Sequence, residues 1–153
     1  MLSDGDKAPD LVLPTDTGSV SLSKLKGKAV VLYFYPKDDT SGCTVEAKDF
    51  TAAMPDFRNA KVEVIGISPD SPASHVKFKA KHELDLTLAA DEEKKAAVAY
   101  GVWVEKSMYG KRYMGIERST FLIDKAGRIA RSWRKVKVPG HVAEVLAAAR
   151  KLA

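Results

Sequence analysis

Apolar and polar positions divide the chain into segments of two periods. Ala29-Val-Val-Leu-Tyr-Phe-Tyr35 is a continuous apolar run rich in β-branched and aromatic residues, the pattern of a strand buried on both faces. Val62-Glu-Val-Ile-Gly-Ile67 repeats it. Between them Cys43, Ala47, Phe50, Met54 and Phe57 recur at spacings of 4, 3, 4 and 3, which places them on one face of a helix. Pro55 is expected to kink or restart that helix after Met54. Strand, helix and strand in immediate succession make a βαβ unit, so both strands run parallel in one sheet.

Further along, a helix is predicted from about Pro72 to His82, with Ser71 or Asp70 as its cap and Val76 and Phe78 among its apolar residues. A short helix is expected around Glu92–Tyr100. Ser119–Ile123 and Arg128–Arg134 flank Asp124-Lys-Ala-Gly127, a turn with glycine at the left-handed position, and read as a β-hairpin. After Pro139-Gly140, the residues Val142, Val145, Leu146, Ala149 and Leu152 predict a last amphipathic helix. Leu11–Leu13 and Val20–Leu22, around Thr15–Ser19, read as a small N-terminal hairpin. The order βαβ, α, ββα is that of an α/β, thioredoxin-like core: a mixed sheet with helices on its faces and an added N-terminal hairpin. No repeat or long linker interrupts it, so residues 1–153 are expected to form a single domain.

Composition agrees with a folded chain: 45% hydrophobic and 29% charged residues exclude disorder and collagen-like repeats. No apolar run approaches the roughly 20 residues of a membrane span, and the acidic N-terminal segment does not read as a secretory signal. A cytoplasmic protein is the expectation. The net charge of +5 is uneven, with ten Lys/Arg against three acids between Glu105 and Lys137. That stretch suits nucleic acid or an acidic partner, or else simply a solvated face; without a helix-groove, zinc-finger or RNA-binding motif, no nucleic-acid role is expected. His75, His82 and His141 show no metal-ligand spacing and read as surface or capping residues, so no metal is expected.

Cys43 is the single cysteine, which excludes an internal disulfide. A lone cysteine is often a small buried hydrophobe. This one follows a strand through Pro36-Lys-Asp-Asp-Thr-Ser-Gly42 and opens a helix, where unpaired N–H groups and the positive end of the dipole favour a thiolate. Pro36 fixes the exit from the strand, and Gly42 allows close backbone approach.

At these residues the sequence resembles the peroxiredoxins. Pro36, Thr40 and Cys43 fit the Pro-x-x-x-Thr-x-x-Cys signature, and Tyr33–Glu46 is similar to the bacterioferritin comigratory protein (peroxiredoxin Q) branch. The likeness continues through Gly66–Asp70, Lys106–Gly110 and Arg118–Asp124. It implies a thiol-dependent peroxidase acting on hydrogen peroxide and organic hydroperoxides, without metal, haem or flavin. Cys43 would be the peroxidatic nucleophile, with a sulfenic acid intermediate. Thr40 would orient the peroxide, or is a turn threonine. Arg118 would hold the thiolate and the developing charge, or is one more surface cation. Glu46 would orient that arginine, or complements the helix dipole. Met108, Tyr109, Tyr113 and Met114, in what reads as a loop before Arg118, form an apolar rim or ordinary loop packing.

The chain departs from the family in its recycling. Where many members carry a resolving cysteine, five residues on or in the next helix, this chain has Lys48 and Lys79. A thiol from outside is therefore implied: thioredoxin, glutaredoxin or glutathione. A monomer is expected by analogy with the branch. The rival readings are a thiol-disulfide oxidoreductase, which would want a Cys-x-x-Cys pair, and a redox-sensing or binding module that relays oxidation to a partner.

Overall fold

The computed structural model describes residues 2–152; the first and last residues of the expected 1–153 domain lie outside the described residues. Strands β1 (Val12–Thr15) and β2 (Gly18–Ser21) form the N-terminal hairpin, followed by β3 (Ala29–Phe34), helix α1 (Ser41–Asn59) and β4 (Val62–Ser68). Then come α2 (Pro72–His82), β5 (Thr87–Ala90), α3 (Lys95–Ala99), the pair β6 (Trp103–Met108) and β7 (Lys111–Ile116), β8 (Ser119–Ile123), β9 (Ile129–Trp133) and α4 (His141–Leu152). Seven strands make one mixed sheet in the order β2-β1-β5-β4-β3-β8-β9. β3 lies near its middle, parallel to β4 and antiparallel to β8, and all its residues are buried.

Alternation along β3 divides the core in two. Val31 and Tyr33 face the apolar sides of α1 and α4 with Phe50, Phe57, Val145 and Leu146, whereas Val30, Leu32 and Phe34 face Ala97, Tyr100 and Phe121 on the opposite side. Every residue of the 43–57 stripe is buried as its spacing predicts. Pro55 does not restart the helix, which is continuous from Ser41 to Asn59. The lost hydrogen bond is outweighed because Met54 and Phe57, on either side of it, pack into the same core.

The histidines correct the sequence reading. His75 and His141 are buried, and only His82 lies near the surface. His75 and Phe78, three apart, share the inward face of α2, while Val76 points outward and is 50% exposed. Each buried ring is satisfied by a polar partner distant in sequence, Asp38 for His75 and Thr120 for His141, which no local pattern announces. The segment before Arg118 is also corrected: it is the separate two-stranded sheet β6–β7, turning at Tyr109-Gly110, not a loop. No helix among the described residues is long and apolar enough to cross a membrane.

Candidate active site

β3 ends at Phe34, and the backbone leaves it through Tyr35, whose N–H still donates to Ile67 O at 3.0 Å, and Pro36. The next residues reverse the chain into α1. Thr40 is the N-cap residue, with extended backbone (φ −90, ψ 156), and its carbonyl accepts from both Thr44 N and Thr44 Oγ1 at 2.8 Å. Its hydroxyl donates to Lys37 O at 2.8 Å, and the side chain is exposed, so the oxygen's lone pairs remain as acceptors for an incoming O–H.

Cys43 lies in the first turn, where amide N–H groups have no intrahelical acceptor. Its sulfur is met by Arg118, from the short link between β7 and β8. Nη2 of the guanidinium donates to Sγ at 3.3 Å while Nη1 donates to Glu46 Oε1 at 2.7 Å. One planar fork therefore joins thiol and carboxylate across 75 residues of sequence. Burial works against charge on Arg118, but Glu46 and Cys43 beside it outweigh this and hold it charged. Gly42 makes room: a Cβ there would lie 3.2 Å from Arg118 Nη2. Of the residues singled out from sequence, Cys43, Glu46, Arg118 and Gly42 thus meet, with Thr40 and Pro36 supporting the turn.

Glu46 is fully buried, and burial pushes its carboxyl up to about 7 against the opposing pull of Arg118. Among the described residues, its Oε2 and the nearby Tyr33 hydroxyl have no hydrogen-bond partner. The raised value has a thermodynamic consequence. Between 4.5 and about 7 the folded chain holds a proton that the unfolded chain has released. The associated stability is complete below the unfolded value and is lost as pH rises through the folded one. His141, which burial lowers to about 4, acts in the opposite sense over part of that range. The difference between wild type and Glu46→Gln isolates the carboxyl. Chemical denaturation at pH 5 and pH 8 is expected to show the wild type losing about 2–3 kcal/mol relative to the variant. A gap of equal size at both pH values would place Glu46 in an unperturbed environment.

The sequence reading missed Lys106 of β6. Its ammonium is lowered by burial and by Arg118, which brings a second cation to the site. The register pairs Lys106 with Tyr113 and Met108 with Lys111, so Lys106, Met108 and Tyr113 share one face of the hairpin, whereas Met114, opposite Glu105, is on the other. The four apolar residues expected to form a rim are therefore split, and Tyr109 stands at the tip, 97% exposed. Among the described residues, no three His, Cys, Asp or Glu side chains gather as metal ligands.

The AhpC/TSA family model matches residues 5–132. The chain belongs to that family. Within it, the chain is 57% identical to the peroxiredoxin Bcp of Bacillus subtilis over 143 residues, covering 93% of this chain and 91% of that protein. A putative peroxiredoxin bcp of Coxiella burnetii is 54% identical, over 93% and 95%. Among solved structures, the Xanthomonas campestris bacterioferritin comigratory protein, studied for its alkyl peroxide reduction activity, superposes with a TM-score of 0.88 at 44% identity, covering 92% and 90% of the two chains. A peroxiredoxin Q of Xylella fastidiosa gives 0.91 at 39% identity, over 96% and 94%. The fold is thus the thioredoxin-like one expected from the element order, and the family's chemistry is thiol peroxidation.

Proposed function

We propose that this chain reduces hydrogen peroxide and organic hydroperoxides through Cys43. The observation that carries the reading is the 3.3 Å contact between Sγ and a buried-side guanidinium at the start of a helix. In the first half-reaction the thiolate attacks the terminal peroxide oxygen. The O–O bond breaks, sulfur is oxidised to the sulfenic acid, and the alkoxide or hydroxide leaves and takes a proton. Arg118 stabilises the charge passing from sulfur to the leaving oxygen, Glu46 orients Arg118, and Thr40 accepts a hydrogen bond from the peroxide. In the second half, an external thiol displaces water from the sulfenic acid, and a second thiol releases Cys43. The sum is one hydroperoxide and two thiols going to one alcohol, one water and one disulfide.

A small peroxidase of this kind is read as one domain acting as a cytoplasmic monomer, with thioredoxin, glutaredoxin or glutathione as reductant. Stopped-flow mixing with peroxide tests the activity itself: one equivalent should be consumed per chain within the mixing series, far faster than by free cysteine. A rate equal to that of free cysteine would favour a relay or binding module.

The recycling reading has its own test. Lys48 is on the exposed side of α1, five residues beyond the buried Cys43, and Lys79 donates to Asp16 at 2.6 Å. With no second thiol in the chain, opening of the first turns of α1 captures nothing, and the sulfenic acid waits for an external thiol. Excess peroxide without reductant is then expected to carry Cys43 to the sulfinic acid, a mass gain of two oxygens. A Lys48→Cys variant is expected to form a bridge to Cys43 and resist that gain. Absence of the bridge would mean that α1 cannot open even when a partner thiol is supplied.

A further inference from the structure

The basic stretch from Glu105 to Lys137 contributes only Arg118 to the chemistry above, and the fold sorts the rest of it. Its arginines are largely engaged: Arg112 with Glu105, Arg131 with Glu144, and Arg134 over the Phe121 ring. Lys106, Lys111, Lys135 and Lys137 make no ion pair among the described residues. Across β6–β7, facing residues share a side of the hairpin, Lys106 with Tyr113 and Met108 with Lys111. That side carries two lysines and no acid. The other is neutral, with Arg112 Nε 3.5 Å from Glu105 Oε1. Gly115 serves the cationic side, since a Cβ there would lie 3.2 Å from Lys106 Cδ and 3.5 Å from the Tyr113 ring. The charges of Arg118 and Cys43 both act on Lys106, which ties this side to the site. Val136 N donates to Arg118 O at 3.0 Å, so the exposed Lys135 and Lys137 are held beside the same arginine.

Four lysines alone would suit any anion, and the apolar side chains among them narrow the class. Met108, Tyr109, Tyr113 and Met114 are all at least 44% exposed, whereas the exposed large apolar residues elsewhere among the described residues are single valines. Methionine and tyrosine at an exposed tip are the composition of a protein contact, adaptable and rich in apolar area. A small anionic thiol would use the cations and leave these side chains in water. The reaction already calls for a partner at this place, because Cys43 is the only thiol of the chain. Transient redox contacts bury less than about 1,200 Å² in all, a scale that one hairpin and its flanking lysines suit.

We propose that the Lys106–Tyr113 side of the β6–β7 hairpin, with Lys135 and Lys137, is the docking surface for a dithiol protein reductant whose cysteines are ringed by acidic and apolar residues. The proposal rests on the peroxidase reading above and selects a protein over glutathione among its reductants. From the docked partner, a thiolate attacks the sulfenic sulfur: the S–S bond forms, the S–O bond breaks, and the oxygen takes a proton and leaves as water. The partner's second thiol then displaces Cys43 as a thiolate, and the partner departs oxidised to an internal disulfide. The lysines act on the encounter and leave the bond-making step to Cys43 and the partner's sulfur.

The test measures reduction of the Cys43 sulfenic acid in single turnover by two probes, a thioredoxin of net negative charge and dithiothreitol, an uncharged dithiol too small to dock. The preceding oxidation burst with hydrogen peroxide reports on the peroxidase reading by itself. The thioredoxin rate is expected to fall about tenfold between about 0.01 and 0.15 M ionic strength, where the screening length shrinks from about 30 to 8 Å, and the dithiothreitol rate to stay within about twofold. Lys111→Glu/Lys137→Glu should slow thioredoxin about tenfold or more at low salt and leave the burst and the dithiothreitol rate within about twofold. Met108→Ser/Tyr113→Ser should lower the ratio of thioredoxin to dithiothreitol rates about fivefold with its salt dependence retained. Lys125→Glu makes the control: Ile123 pairs with Val30 and Ser119 with Phe34, so Lys125 stands at the end of the sheet away from Cys43, and its reversal should change neither rate. With the burst intact, the proposal is overturned if the Lys111/Lys137 variant keeps the wild-type ratio, if Lys125→Glu reproduces that variant, or if glutathione at equal thiol concentration matches thioredoxin. Salt-sensitive binding of a DNA duplex, lost in the Lys111/Lys137 variant while the ratio stands, would give the surface to nucleic acid and overturn it too.

Discussion

Cys43→Ser is expected to lose all but a few per cent of peroxide reduction while keeping the fold and its melting temperature within a few degrees. The hydroxyl fills nearly the same space and can accept from Arg118 Nη2 as the sulfur does at 3.3 Å, so neither a cavity nor an unpaired donor results. A serine hydroxyl, however, is not ionised beside a guanidinium at neutral pH, and it is a poor reductant of an O–O bond. The chain has no other thiol. Turnover above a few per cent in a coupled peroxidase assay, with circular dichroism unchanged, would place the redox chemistry elsewhere.

Arg118→Met has the next largest expected effect, a loss of about 10²–10³ in the peroxide rate, the scale for removing a preorganised donor from developing charge. Alkylation of Cys43 by iodoacetamide should slow in parallel. Stability should change as well, because Glu46 Oε1 then loses its partner at 2.7 Å while remaining buried. An uncompensated buried carboxylate is costly. Adding Glu46→Gln to Arg118→Met is therefore expected to recover stability without recovering activity, which separates the electrostatic role of the arginine from its structural one. If the single variant keeps its alkylation rate, Arg118 does not stabilise the thiolate.

What the sequence disclosed follows the range of the interactions. The stripe Cys43, Ala47, Phe50, Met54 and Phe57 was legible because helix periodicity is local, and β3 and β4 because strands buried on both faces read as unbroken apolar runs. Strand β5, Thr-Leu-Ala-Ala, was not, being four residues long and half alanine, a weak strand former. Strands β6 and β7 carry no strand signal because several side chains on both faces meet solvent, so no alternation of burial is written into them. The roles of Glu46 and Arg118 enter only through family resemblance. Asp38 and His75, 37 residues apart, form a pair that each residue's own surroundings conceal. A histidine among lysines reads as surface until its carboxylate is found.

Among the described residues the β6–β7 hairpin pairs only with itself and sits outside the seven-stranded sheet, its base closed where Glu117 N donates to Val102 O at 2.8 Å. Its tip can thus lengthen, shorten or change composition without shifting the register of any strand that carries the core, since loop extension costs little and no ladder crosses the turn. Lys106, whose ammonium is influenced by Arg118 and Cys43, is carried by this appendage, so the hairpin can vary at its tip while the nucleophile and its arginine stay fixed.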